Sequence, residues 1–301
     1  MKKLLTMKYN TEIDYLQKFN RAISSTGLGY HEIIPDSDFH RFACKCSPRR
    51  NNGWYIFYPG EFPGGAFGCW RCTPKLTWSA GKTETLSDVD RVKYRKKIQL
   101  EKAKRERERR EKYRQAAVRA KHIWRDSIPA PDRFPYLLAK GIQPHGIRYT
   151  ETPQSGFYRV TPPYLLIPVY NAHSGEFQSL QSIDADGTKA YFTGGKTKAG
   201  YFPIGELKDV LYIAEGFATA ATIFELTGQA TTVAFNDSNL IRVAKAMRKK
   251  YPDKEIIIAG DNDWQTEQKI GRNPGIEAAI KAAKAANAKY CIPEFERTVH
   301  E

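Results

Sequence analysis

The C-terminal third of the chain alternates continuous apolar runs with segments that are apolar only at helical spacing. Continuous apolar runs are typical of strands that are buried on both faces, and amphipathic helices between them favour a parallel sheet. The predicted strands are 210–214, 230–235, 255–260 and 289–292, and the predicted helices are 217–226, 239–250 and 275–286.

The residues just before this region are richer in turns and predict antiparallel strands. A short helix is closed by Gly141, three strand-like runs follow, and a glycine-rich stretch, GGKTKAGYFPIG, comes after them. The predicted helix is 135–140 and the predicted strands are 164–170, 177–184 and 190–192.

The N-terminal region begins with a helix-like pattern that ends at Gly27 and Gly29. Two short aromatic runs, 54–58 and 65–70, flank a Pro-Gly turn and predict a β-hairpin. The apolar positions of the helix are Tyr15, Leu16, Phe19 and Ile23.

These patterns predict a multidomain protein of mixed α+β and α/β class. The predicted segments are a small β-hairpin module over 1–87, a long basic linker helix over 88–127, an antiparallel-rich subdomain over 128–208 and a mainly parallel α/β domain over 209–301.

Composition excludes several classes of protein. Hydrophobic residues are 41% of the 301 residues, which argues against a disordered or fibrous chain. The chain contains no apolar run of about 18 residues, so no transmembrane helix is predicted. Its five cysteines are an odd number, which argues against a secreted disulfide scaffold. We therefore expect a protein of the reducing cytoplasm.

The positive charge is concentrated in the predicted long helix. Residues 91–125 hold 16 Lys and Arg against 4 Asp and Glu, which is +12 of the formal +15. This segment lacks Gly and Pro and becomes apolar only near its end, so we expect that end to dock on the rest of the protein. One interpretation is a solvated spacer; the other, which we favour, is a nucleic-acid contact. The candidate DNA-binding residues are Arg105, Arg107, Arg109 and Arg110.

Acidic side chains follow two of the predicted parallel strands. Glu215 follows the first strand, and Asp261 and Asp263 follow the third. Carboxyl ends of parallel strands share one edge of the sheet, so these acids are predicted to converge there and to hold Mg²⁺ or Mn²⁺. The alternative is that they only cap helices. We interpret Gly216 and Gly260 as keeping the backbone open for a ligand.

Four of the cysteines bracket the predicted hairpin as C-x-C and C-x-x-C. Cys44, Cys46, Cys69 and Cys72 are candidate ligands of a structural Zn²⁺ in a zinc-ribbon-like module. The first pair is one residue shorter than is usual for a zinc ribbon, His40 is an alternative ligand, and a zinc-free aromatic hairpin is the competing interpretation. Cys291 is predicted to be a buried apolar residue of the last strand.

Aromatic residues surround the same hairpin. We interpret them mainly as its core, with one ring exposed for stacking on unpaired bases. They are Trp54, Tyr55, Phe57, Phe67 and Trp70.

The order of motifs in the last domain resembles the TOPRIM domain. The resemblance covers residues 209–293: a strand ending in Glu-Gly, a strand ending near Asn236 and a strand ending in Asp-x-Asp. Upstream runs are similar to DNA primases of phages and plasmids, in the same order. These runs are FHRF, NNGWYIFY and GGAFGCWR, then PYLLAKGIQPHGIR, then LLIPVYNAHSGEFQSLQSIDADGTKAYFTGGKTKAGYFPIGELKD.

The resemblance implies template-directed synthesis of short primers with metal ions. Glu215 matches the acidic residue of the first TOPRIM motif, and Asp261 and Asp263 match the metal-binding pair. It implies single-stranded DNA template and nucleoside triphosphates as partners, with a replicative helicase fused or in trans, in a bacterial cytoplasm and encoded by a phage or plasmid. The residues matching the basic groove beside the metal site are Lys189, Lys196 and Lys198.

Two other functions use the same features. A TOPRIM nuclease would use the same metals for hydrolysis, and a non-catalytic module would only bind nucleic acid or a replication partner. The chain has no GxxxxGK[ST] motif of an attached ATPase, and its complete set of acids argues against a purely non-catalytic role.

Overall fold

The computed structural model describes residues 2–29, 31–60, 63–80 and 88–293. The chain divides into two compact units, Met1–Arg107 and Glu108–Glu301, and the boundary falls inside one long helix. No helix in the described ranges combines the length and the apolar character needed to cross a membrane.

The first unit is a four-stranded antiparallel sheet with a helix on one face. The strands follow chain order across the sheet, and the hairpin between the second and third strands is as predicted. Phe19 of the helix packs 5.1 Å from the ring of Phe57, and Ile23 is fully buried beside it. The elements are α1 Lys2–Ser25, β1 His40–Phe42, β2 Gly53–Tyr58, β3 Gly64–Cys69, β4 Thr73–Ser79 and the start of α2 Asp88–Asp126.

Strands β1 and β4 are not apparent in the sequence pattern. β1 has three residues, and β4 is exposed along most of its length, so neither shows the apolar alternation of a half-buried strand.

The second unit is built around one branched sheet. The helices are α3 Pro135–Lys140, α4 Phe217–Thr227, α5 Asp237–Lys250, α6 Trp264–Ile270 and α7 Pro274–Ala286. The strands are β5 Ile128–Pro129, β6 Arg148–Thr150, β7 Tyr164–Asn171, β8 Phe177–Asp184, β9 Lys189–Tyr191, β10 Gly200–Ile204, β11 Val210–Ala214, β12 Ala230–Val233, β13 Glu255–Ala259 and β14 Lys289–Cys291.

The topology joins a parallel half to an antiparallel half. Strands β14, β13, β11 and β12 lie side by side and run parallel. β10 pairs antiparallel with both β12 and β7, and so connects the two halves. The sheet therefore changes from antiparallel to parallel strands at β10 and β12. The short helix α6 was not predicted.

The end of α2 docks on the antiparallel half, as its late apolar residues predict. Ala116 and Ala120 are fully buried against Leu180 and Phe192. The guanidinium of Arg148 donates hydrogen bonds to the backbone carbonyls of Trp124, Arg125 and Ser127 at 2.9–3.1 Å. It therefore satisfies carbonyls that have no partner within the helix.

Candidate functional site

The parallel register brings two of the predicted acids to neighbouring positions. β11 and β13 are paired so that Ala214 lies opposite Ala259. Glu215 follows the first of these residues directly, and Asp261 lies two residues after the second. Both side chains are half-buried at the carboxyl edge of the sheet, where ligands of open α/β sheets bind.

The electrostatics of this edge disfavour negative charge. Burial raises the pKa of Glu215 to about 7, and repulsion from Asp261, Asp237 and Asp263 adds to the effect. Burial also raises the pKa of Asp261, with repulsion from Asp263 as the next cause. A cation bound between these groups would relieve both effects, so the donor set fits a hard divalent ion.

Asp263 is fixed by the segment that leads into α7. Its Oδ2 accepts a hydrogen bond from the backbone N–H of Gly275 at 3.0 Å, and its own N–H donates to Asn273 Oδ1 at 3.1 Å. A Cβ at Gly275 would lie 2.2 Å from the carbonyl oxygen of Asp261, so only glycine fits at this close approach. Asp263 therefore has a structural role besides any role toward a ligand.

The two glycines beside the acids differ in role. A Cβ at Gly216 would meet nothing closer than Thr219 Oγ1 at 3.8 Å, which leaves open space. A Cβ at Gly260 would lie 2.5 Å from the Cβ of Ala279, so this glycine permits close packing of α7. The interpretation that Gly260 opens the backbone for a ligand is therefore wrong.

The three predicted lysines lie in two elements. Lys189 is in β9; loss of hydration lowers the pKa of its ammonium, whereas the charges of Asp261 and Glu215 raise it. Lys196 is half-buried and Lys198 exposed in the turn before β10. Lys189 is thus within electrostatic reach of two of the acids.

Two polar residues near the acids, Tyr191 and Asp237, were missed by the sequence interpretation. Tyr191 donates a hydrogen bond to the carbonyl of Phe235 and accepts one from Asn236 Nδ2, each at 3.3 Å. Burial raises the pKa of Tyr191. Asp237 begins α5 directly after Asn236, which caps the helix, and its charge helps to raise the pKa of Glu215. The position of Asp237 after a predicted parallel strand is the signal in the sequence that could have identified this residue.

The four predicted cysteines form a compact cluster in the first unit. Their Sγ atoms all lie within 4.8 Å of one another, with Cys44 and Cys72 at 3.4 Å and Cys46 and Cys69 at 3.6 Å. Tetrahedral thiolates bound to zinc at about 2.3 Å would be about 3.8 Å apart, so the donor set fits zinc. In the described ranges, no other His, Cys, Asp or Glu group gathers three or more ligand atoms this closely.

The cluster favours a thiolate at one position. Burial raises the pKa of Cys69, but hydrogen bonds from the backbone N–H groups of Arg71 and Cys72 outweigh it and lower the pKa to about 6. His40 is not in the cluster, and its Nε2 instead pairs with Asp36 Oδ1 at 2.8 Å. Cys291 is exposed on the edge strand β14, so its predicted burial is wrong.

The candidate arginines of α2 have different surroundings. Arg107, Arg109 and Arg110 are exposed. Arg105 is half-buried, and its guanidinium lies 4.9 Å from the ring centroid of Tyr58 in the first unit. This geometry is that of a cation–π contact.

Comparison with known proteins gives matches to one class. A family model described as Toprim domain matches residues 210–293. Two proteins of Escherichia coli named DNA primase TraC are 32% and 31% identical to this chain over 292 and 289 residues, covering 93% and 92% of it. The chain spans 19% and 26% of the lengths of these relatives.

Among solved structures, a match covers most of the chain. The crystal structure of the Aquifex aeolicus primase, comprising its zinc-binding and RNA polymerase domains, aligns with a TM-score of 0.38 and 16% identity. The alignment covers 95% of this chain and 80% of that one.

Proposed function

We propose that this chain, a relative of the TOPRIM DNA primases of plasmid type, synthesises short oligonucleotide primers on single-stranded DNA. The observation that carries the proposal is the pair of half-buried acids, Glu215 and Asp261, with raised pKa values at the edge of the Toprim sheet. The negative charge of these two carboxylates is disfavoured unless a cation lies beside them. Metal-dependent nucleotidyl transfer requires such a bound cation.

Glu215, Asp261 and Asp263 would hold Mg²⁺ or Mn²⁺. When bound, such ions neutralise charge on the transferring phosphate and favour ionisation of the attacking 3′-hydroxyl. Lys189, which is within electrostatic reach of Asp261, would bind phosphate oxygens of the incoming nucleoside triphosphate. Lys196 and Lys198 would contact the backbone of the template or the nascent strand.

The remaining parts of the chain would deliver the template. The cysteine cluster would hold a structural Zn²⁺ in a zinc-ribbon-like module over 1–87, and the arginines of α2 would contact DNA phosphates. We include in this proposal the predicted division of the chain into four segments, 1–87, 88–127, 128–208 and 209–301. The primase would act in a bacterial cytoplasm, encoded by a plasmid or phage, with a replicative helicase fused or in trans.

The test is primer synthesis by the full chain. The protein is incubated with single-stranded templates, labelled nucleotides and Mg²⁺ or Mn²⁺, and products are resolved on a denaturing gel. We expect short template-dependent products that disappear with Asp261→Asn. The matched control is Asp253→Asn, because Asp253 is exposed at the opposite end of the same strand.

Two outcomes would contradict the proposal. Degradation of a labelled DNA strand without synthesis would identify a nuclease that uses the same acids. Binding of DNA with neither synthesis nor cleavage, on all templates and with both metals, would identify a non-catalytic module.

A further inference from the structure

Three aromatic rings form a cluster on the first unit. The ring of Trp54 lies 5.6 Å from that of Phe39 and 5.6 Å from that of Trp70, and the corresponding planes differ by 20° and 32°. Phe39 and Trp70 also lie 6.3 Å apart at 36°. Phe39 and Trp54 are stacked and the other two pairs are tilted, so the three rings form a compact cluster in which each ring contacts the other two.

The cluster lies on the sheet face that α1 does not cover. Tyr55 and Phe57 of β2 point to Phe19 of α1, so Trp54, which directly precedes Tyr55, projects from the other face. Gly68 is directly opposite Trp54 on β3, and a Cβ there would lie 3.2 Å from its indole ring. A glycine at this position leaves room for the indole to lie against the sheet.

Two rings of the cluster are exposed although the third is buried. Trp54 is 6% exposed, whereas Phe39 is 45% and Trp70 66% exposed. Single exposed apolar side chains are ordinary, but here two large rings are exposed on a shared, rigid support. The backbone of Trp70 is held firmly in place. Trp70 lies between Cys69 and Cys72, and its backbone N–H donates to the carbonyl of Asn52 at 3.0 Å.

Positive charge accompanies the rings. Arg41 is opposite Trp54 in the β1–β2 register and is exposed, and Arg71 directly follows Trp70. Residues 31–60 and 63–80 together contain six Lys and Arg against three Asp and Glu. Exposed aromatic faces beside cations suit a ligand with flat π systems joined by phosphates.

We propose that Phe39 and Trp70 form a stacking platform for unpaired bases of single-stranded nucleic acid, with Trp54 as its buried support. The role in template delivery rests on the proposed function, but the binding itself does not require synthesis. Every base has a π face, so the platform would accept bases without strong sequence preference. Arg41 and Arg71 would contact the adjoining phosphates.

Stacking and charge can be separated by two measurements on the full chain. Affinity for a fluorescent oligothymidylate is compared with that for the same strand carrying abasic sites, each over a range of salt concentrations. For the wild type, we expect the abasic strand to bind more weakly. Phe39→Ala/Trp70→Ala should weaken binding of the intact strand by about tenfold or more and remove the difference between the strands.

The salt dependence provides the second readout. Neither substitution removes a charge, so the slope of log affinity against log salt should stay as in the wild type. Trp70→Phe keeps a ring and should retain most of the affinity. The control is Tyr290→Ala, which removes an exposed ring from β14 and should leave binding unchanged.

Folding of the variants is checked by zinc content, because the cysteine cluster brackets Trp70. A zinc-loaded double variant that binds both strands as the wild type does would overturn the platform, and would direct attention to a protein partner for these rings. That result leaves primer synthesis untouched, whereas a wild type that binds through the platform but makes no primer would overturn only the proposed function.

Discussion

The side chain of Asn239 in α5 holds the backbone of Ala199, whose N–H donates to Asn239 Oδ1 at 2.7 Å. The Nδ2 group of Asn239 donates to the carbonyls of Thr197, Gly200 and Ala234 at 2.8–3.3 Å. This buried amide therefore fixes the turn that contains Lys196 and Lys198 against the carboxyl edge of the Toprim sheet.

Asn239→Ala should weaken nucleotide or template use more than it weakens the catalytic step. Loss of these bonds leaves buried backbone groups unpaired, at a cost of about 1–3 kcal/mol. We expect a lower melting temperature and a higher KM with a smaller change in kcat, measured by primer synthesis at rising nucleotide and template concentrations. Lys245→Ala, at an exposed position of the same helix, is the control, and equal KM values for the two variants would contradict the role of the turn.

Substitutions of Asp263 should separate its two roles. Asp263→Asn keeps an oxygen that can accept from Gly275, so the fold should stay intact while synthesis is lost. Asp263→Ala also removes that hydrogen bond and should cost about a further 1 kcal/mol of stability. Thermal unfolding measures this difference. Wild-type synthesis by both variants would exclude Asp263 from the metal site.

The raised pKa of Glu215 predicts an unusual dependence of stability on pH. Its pKa is about 7 in the folded chain against an ordinary value of 4.5, so the folded state holds the proton more tightly. Without divalent cations, this group's contribution to stability is therefore present at low pH and is lost as pH rises through about 7.

Glu215→Gln should remove this loss. The variant should melt a few degrees above the metal-free wild type at about pH 8, with a smaller gain at about pH 5. Glu206→Gln, at an exposed position, should show no such gain. Adding Mg²⁺ should stabilise the wild type more than Glu215→Gln; equal effects of Mg²⁺ on both proteins would argue against a cation at this edge.

The cysteine cluster predicts one zinc ion per chain in protein purified without chelator. Cys69→Ser/Cys72→Ser should lose the metal, measured by elemental analysis. Cys291→Ser, at an exposed position in the second unit, should keep it. A zinc-free wild type would exclude a zinc ribbon, but primer synthesis would still be open to test.

The arginines of α2 predict a salt-dependent contribution to DNA binding. Each phosphate contact on a single strand contributes about 0.7 to the slope of log affinity against log salt. We expect the magnitude of this slope to fall by up to about 2.1 when Arg107, Arg109 and Arg110 are replaced by Gln. The fall should be about half as large if only one face of the helix binds DNA. The control replaces three exposed lysines by Gln and should leave the slope unchanged; they are Lys245, Lys281 and Lys284.

Arg105→Gln should behave differently from its neighbours. Its packing on Tyr58 predicts a loss of stability of about 0.5–2 kcal/mol rather than a change of slope. A slope change equal to that of Arg107→Gln would show that Arg105 leaves Tyr58 to bind phosphate.

The sequence was sufficient to predict the acidic edge because it depends on local rules. Continuous apolar runs identify buried parallel strands, and residues after such strands meet at one edge; the β11–β13 register places Glu215 and Asp261 after neighbouring strands. The cysteine cluster followed from a hairpin that joins two pairs in space.

Features that depend on distant partners could not be predicted in this way. Asn239 looks like an ordinary residue of a helix start, yet its partners at 197–200 are about 40 residues away in the chain. The exposure of Trp70 depends on which face of the sheet α1 covers, and Phe19 of α1 packs on the face of Tyr55 and Phe57. Cys291 has the composition of a core residue, and only the edge position of β14 shows that it is exposed.

Because the C-terminal end of α2 is anchored, a change in the length of this helix alters the direction in which its exposed side chains point. Arg148 fixes the last carbonyls, so each residue of α2 from Glu108 onward has a set distance and angular phase from that point, at about 1.5 Å and 100° per residue. Removing one residue between Arg110 and Ala116 would turn the arginines about a quarter of the way round the helix. Inserting seven residues there would return them to nearly the same phase, about 20° off, so length changes should be tolerated in steps rather than gradually.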